Sequence, residues 1–217
     1  MPEVISNKRS FYDRLTPENS VLMLIDHQTG LMLGVKTIDP LELSNNVLAL
    51  AETAKLFDIP TILTTSGSKG PNGPIMSELV ELFPDHEIID RTLINTWDDD
   101  RVTDIVRKTN RNKIIMAGIT SDVCLAFPAT AAVGEGFDVY AVMDASGTWN
   151  TLVENASIAR MAQAGVITTN WIAVSAELQR DWARSTGNKL AKLYGERLGA
   201  YGYLINNYGH GGRRMSP

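Results

Sequence analysis

Cys124 is the only cysteine in 217 residues. It lies in GITSDVCLAFPATAA (118–132), where an apolar run gives way to an alanine-rich stretch. A thiol in the first turn of a helix that follows a strand meets backbone N–H groups without intrahelical partners. These favour a thiolate and can receive an oxyanion. With Ser121 as N-cap, Cys124 takes the third position of such a helix. Pro128 should then kink it by removing one amide. Two other groups could work with the thiol: Asp26, directly after VLMLI (21–25), and Arg91, two residues beyond EII (87–89). A carboxylate can move a proton, and a guanidinium can fix negative charge. Plainer readings stand beside these. Free cysteine is among the most buried residue types, Asp26 can cap a helix, and Arg91 can be a surface cation.

What would bring the three together is the order of elements. Short apolar runs recur at 21–25, 61–65, 87–89, 113–117, 137–143 and 165–169. Most lack strict alternation, as strands covered on both faces do. Helical patterns separate most of them. One opens at Asp39, with Pro40 first and Glu42 third, and sets Leu43, Val47, Leu50, Ala51 and Ala54 on one face. Val102, Ile105 and Val106 repeat that period, and 151–164 closes on Gly165. Strand–helix alternation predicts an α/β fold with a parallel sheet between two helical layers. In such sheets ligands bind beyond the carboxyl ends of the strands, where strand order reverses. Asp26, Arg91 and Cys124 all fall there. Trp97, Phe127 and Trp149 lie in loops or early turns at the same end and could wall a substrate pocket, or be core aromatics.

The remaining features mainly exclude. SGSKGPNGP (66–74) does not match the phosphate loop GxxxxGK[ST] and reads as a surface or lid loop. His27, His86 and His210 show no metal-ligand spacing. His27 adjoins Asp26, so only one of the two faces the cleft. A net charge of −5 gives no reason to expect nucleic acid or an anionic membrane as partner. One cysteine, no signal-like N-terminus in MPEVISNKRSFYDRL and no membrane-length apolar run lead us to expect a cytoplasmic protein. The tail 199–217 is too glycine-rich for a packed helix, yet its tyrosines and Leu204-Ile205 are odd for a solvated one.

VLMLIDHQTGLM, NNVLALAETAKLFDIPTILTTS, GPNGP, FPDHEIIDRTLINTWDD, GITSDVCLAFPATAA and EGFDVYAVMDASGTWN together resemble the isochorismatase-like cysteine hydrolases, in their YcaC-like branch. The resemblance covers roughly 18–185. It implies a three-layer α/β/α fold with a six-stranded parallel sheet of order 3-2-1-4-5-6, and a hydrolase domain over 1–185 with a C-terminal extension over 186–217. It also implies a catalytic Asp–Lys–Cys triad, matched here by Asp26 and Cys124, with Arg91 in the lysine position. Arginine holds charge but does not exchange a proton. A cis Ile119–Thr120 peptide and an oxyanion hole from the Thr120 and Cys124 amides follow from the same motif. TTSGSKG stands where nicotinamidase-like members carry a metal site, so no metal and no cofactor are expected. The expected reaction is hydrolysis of a small carboxamide or related C–N bond through a thioester, by a homo-oligomer. A non-catalytic oligomeric scaffold or small-ligand binder of the same fold is the competing reading, and a flavodoxin-like cofactor binder a weaker one.

Overall fold

The computed structural model describes residues 13–214; residues 1–12, most of the N-terminal stretch that is not signal-like in sequence, and 215–217 lie outside them. Strands β1 (Ser20–Ile25), β2 (Thr61–Ser66), β3 (Ile88–Arg91), β4 (Lys113–Gly118), β5 (Asp138–Val142) and β6 (Ile167–Thr169) pair in parallel, in the order β3-β2-β1-β4-β5-β6. The helices are α1 (Thr29–Gly34), α2 (Pro40–Leu56), α3 (Ser77–Leu82), α4 (Asp100–Lys108), α5 (Ala126–Gly134), α6 (Thr151–Ala164), α7 (Trp171–Gln179), α8 (Gly187–Arg197) and α9 (Gly199–Arg214).

Each central strand buries both faces, and its side chains alternate between two cores. Leu22 and Leu24 of β1 join Ile115, Ala117 and Tyr140 under α2, α7 and α8. Val21, Met23 and Ile25 join Ile114, Met116 and Val139 under α4, α5 and α6. The expected caps are present. The Asp39 carboxylate accepts from the amides of Leu41 and Glu42, and Gly165 closes α6 at φ +91°. SGSKGPNGP is strapped down: the Gln28 side chain donates to the Gly73 carbonyl and accepts from the Ser66 amide, and Asn72 donates to Ser66.

Two expectations are corrected. Residues from 199 form a helix, not an irregular tail, because its glycine serves close packing. A Cβ on Gly202 would lie 2.4 Å from the Gly195 carbonyl oxygen of α8. Tyr201 stacks edge-on against Tyr194, and α8 itself buries Leu190, Leu193 and Tyr194 in the first core. Pro128 does not kink a helix. Its missing amide would have bonded the Cys124 carbonyl, which belongs to a wider turn before α5 begins at Ala126. No helix among the described residues is long and apolar enough to cross a membrane.

His27 ties the exit of β1 to that of β5. Its Nε2 lies 2.9 Å from the Ala145 carbonyl oxygen and its Nδ1 is buried with no partner among the described residues. Burial lowers its pKa from 6.5 to about 4. Since the folded-state value is the lower one, the stability held by the neutral ring is complete above pH 6.5 and is lost as pH falls towards 4. His27→Gln should therefore lose about 3 kcal/mol less than the wild type across that window, by urea unfolding. Parallel losses would contradict a ring buried in its neutral form.

Candidate active site

The site forms where β1 and β4 lie side by side and their connections leave in opposite directions. Ile25 and Gly118 are paired in register, so the residues following them emerge together. Asp26 comes next in the chain and adopts φ +58°, the left-handed region that residues with a Cβ seldom occupy. Its amide bonds the Thr64 carbonyl of β2, and the chain then turns tightly, the Gln28 amide reaching back to the Asp26 carbonyl. The carboxylate is held at the carboxyl end of a central strand and is fully buried.

Arg91 reaches it from β3, across the end of β2. It is the last residue of that strand rather than two beyond it, in register with Ser66. Its Nη2 lies 2.6 Å from Asp26 Oδ2, both side chains being at most 1% exposed. Its Nη1 donates to the carbonyls of Leu93 (2.5 Å) and Ile94 (3.2 Å). One guanidinium thus fastens the carboxylate and the loop after β3. A buried charge of either sign alone would be costly, and the pairing offsets that cost.

Cys124 belongs to a π turn, Ser121–Leu125, that opens after a cis peptide between Ile119 and Thr120. The expected α-helical N-cap at Ser121 is therefore replaced: Thr120 takes the capping position, and Cys124 sits in the wide turn. The sulfur meets the Asp26 carboxylate and receives the Thr120 backbone N–H. The expectation of a ready thiolate is overturned. Burial, and then the Asp26 charge, push the thiol up to about 12, against smaller pulls from the Thr120 amide and Arg91. Burial also raises Asp26, with Arg91, the thiol and Thr64 pulling it down. The resting pair is a neutral thiol against a carboxylate. Chemically, that arrangement can make a nucleophile by handing the thiol proton to Asp26 as the sulfur attacks.

The loop after β5 fixes the cysteine turn. The Ser146 hydroxyl accepts from the Gly118 amide and donates to Val142, while the Gly147 carbonyl accepts from the Ser121 amide. The Thr148 hydroxyl donates to Asp122 at 2.6 Å. None of these was singled out in the sequence, nor was Thr64, whose hydroxyl donates to Asp26 Oδ1 at 3.3 Å. They are ordinary strand and loop residues until register places them.

The structure brings Asp26, Arg91, Thr120 and Cys124 together; the aromatics fare differently. Trp97 does not wall the cleft. It is buried in the second core, edge-on to Phe137, with its indole donating to Glu135 at the end of α5 away from Cys124. Phe127 is half-buried with Arg160 stacked on its ring. Trp149 is half-exposed and packs on Gly34 of α1. His86 stacks on Phe83, and the His210 side chain lies outside the described residues. Among the described residues no three His, Cys, Asp or Glu side chains cluster closely enough to hold a metal ion.

The isochorismatase domain model matches residues 20–173. The chain is 43% identical to a probable hydrolase, YcaC of Escherichia coli, over 198 residues, 91% of this chain and 95% of that one. The solved E. coli YcaC, described as an octameric hydrolase of unknown specificity, superposes with a TM-score of 0.89 over 93% of this chain and 98% of its own. YcaC of Pseudomonas aeruginosa, solved with hexane-2,5-diol and covalent acrylamide, is 44% identical, with a TM-score of 0.88 over 92% of this chain and 99% of its own.

A raised thiol pKa is directly observable. The ultraviolet absorbance of a thiolate, taken as wild type minus Cys124→Ala, should stay absent as pH climbs from neutrality past the ordinary value of 9.0. An inflection below that value would show a preformed thiolate.

Proposed function

The chain belongs to the isochorismatase family and is a hydrolase of that family, and we propose that it cleaves small carboxamides or related C–N bonds with Cys124 as nucleophile. The observation that carries this reading is the buried Asp26–Arg91 pair with the Cys124 thiol against its carboxylate. Asp26 takes the thiol proton as the sulfur attacks the carbonyl carbon, and the amides of Thr120 and Cys124 receive the oxyanion. The protonated Asp26 then gives that proton to the leaving nitrogen, and the C–N bond breaks to leave a thioester. Water, deprotonated by Asp26, attacks the thioester; the acid departs and the thiol regains its proton. Arg91 orients Asp26 and balances its charge. No metal or cofactor takes part in this sequence.

Burial that raises Asp26 suits a base working near neutrality. The P. aeruginosa relative was solved with covalent acrylamide, an electrophile that a nucleophilic side chain adds to, and this supports a nucleophile in the shared fold. Leu93 and Ile94, in the loop after β3, and Trp149, in the loop after β5, are exposed and are candidates to meet a modest apolar acyl group. Phe127 remains a candidate wall beside them.

We also propose a homo-oligomer. The E. coli relative is an octamer, and α9 leaves Tyr203, Leu204 and Tyr208 exposed. Light scattering should give a multiple of 23.8 kDa at micromolar concentration, and a monomer mass would refute it.

In a screen of small amides, Cys124→Ala and Asp26→Asn should abolish turnover. Arg91→Lys should keep substantial activity, since a fixed positive charge remains. Arg91→Met should lose about 2–4 kcal/mol of transition-state stabilisation in kcat/KM. Normal turnover by a folded Arg91→Met would reduce the catalytic unit to Asp26 and Cys124.

A further inference from the structure

We propose that Thr64 is a positioning residue for the proton transfer: its hydroxyl, donated to Oδ1 of Asp26, holds that oxygen ready for the thiol proton while Arg91 holds Oδ2. This rests on reading Asp26 as the base that serves Cys124.

Thr64 grips Asp26 twice. Its carbonyl accepts the Asp26 amide at 3.0 Å, and its side chain, fully buried, donates to Oδ1 at 3.3 Å. The other oxygen is taken by the guanidinium at 2.6 Å. A proton arriving from sulfur is therefore accepted more easily at Oδ1, whose partner is a neutral hydroxyl, than at Oδ2, whose partner is a fixed cation. A hydroxyl also suits both states of the carboxyl: it donates to the anion, and rotates to accept once the carboxyl is protonated. Valine would have the same shape without that capacity.

The charged and titratable groups facing Asp26 are Arg91 from β3 and Cys124 from the turn after β4. His27, next along the chain, turns away to the Ala145 carbonyl. The groups here that can exchange a proton are Asp26 and Cys124. Thr64 contributes one of the hydrogen bonds that favour the ionised Asp26. Without it, Asp26 ionises at higher pH.

The test follows alkylation of Cys124 in the full-length protein by iodoacetamide across acid to mildly alkaline pH, read by intact mass. In the wild type the rate rises as Asp26 ionises and then levels. In Thr64→Val that rise should move up by about one pH unit. The rate on its acid side should fall severalfold while the plateau stays within about twofold. Thr64→Ala should behave as Thr64→Val does if the latter fails to fold. Thr64→Ser should restore the wild-type profile even though it loses a buried methyl group. A Thr64→Val profile that coincides with the wild type, or a Thr64→Ser profile shifted like Thr64→Val, overturns the role of the hydroxyl. Asp26→Asn separates the two claims. If it abolishes the rise while Thr64→Val leaves it in place, only the positioning role is lost. If Asp26→Asn keeps the wild-type rise, Asp26 is not the base, and both readings fall.

Discussion

A carboxylate and a guanidinium 2.6 Å apart, both shut away from water, set the terms for the site around them. Burying either alone would cost several kcal/mol, so each requires the other, and together they require further hydrogen bonds. The structure supplies these from different strands. Thr64 of β2 binds the second carboxylate oxygen, and the Leu93 and Ile94 carbonyls bind the free end of the guanidinium. The pair therefore ties three adjacent strands at their carboxyl ends. Its partners are spread along the chain from Asp26 to Cys124, so it forms only when β1, β2, β3 and β4 are correctly ordered. The fold and the chemistry share one constraint.

Burial, and after it the charge of Asp26, keep the cysteine protonated at rest. A nearby cation favours a thiolate, but the pull of Arg91 is smaller than the opposing effects of burial and of the Asp26 charge. The negative charge in the resting site already belongs to the carboxylate. In the mechanism we propose, a nucleophile appears only as the proton crosses to Asp26, which couples ionisation to the arrival of an electrophile. The turn carrying the thiol is held from the other side. Ser146, Gly147 and Thr148 fix the Gly118–Asp122 segment, and His27 bonds the carbonyl of Ala145 just before them. Preorganisation of this kind lowers the reorganisation needed during the reaction.

Much of this was legible in the sequence, and the reasons for the gaps are physical. The doubly covered strands announced themselves as unbroken apolar runs, and Asp39 and Gly165 marked helix ends through capping chemistry that is local. Asp26, Arg91 and Cys124 were legible because each lies at or just past the end of a strand, and parallel order brings strand ends together. Thr64 was not, because its role depends on which residue of β2 lies beside Ile25, a register that no local pattern encodes. The thiol's protonation was misread because the π turn replaced an α-helical start, and because burial outweighed any effect of backbone dipoles. Trp97 illustrates a different limit: a tryptophan just past a strand looks the same in sequence whether it faces a cleft or turns under the next helix. In α9, glycine content suggested irregular chain, whereas Gly202 lets one helix lie against another.

We propose that the Asp26–Arg91 pair arms Cys124 to form a covalent bond with its substrate. The most direct measurement is intact and peptide mass spectrometry of enzyme quenched in acid during turnover of a small carboxamide. The account predicts an adduct of the acyl group's mass, confined to the peptide containing Cys124 and lost when substrate is exhausted. Turnover with no adduct in wild type, or undiminished in Cys124→Ala, would contradict it.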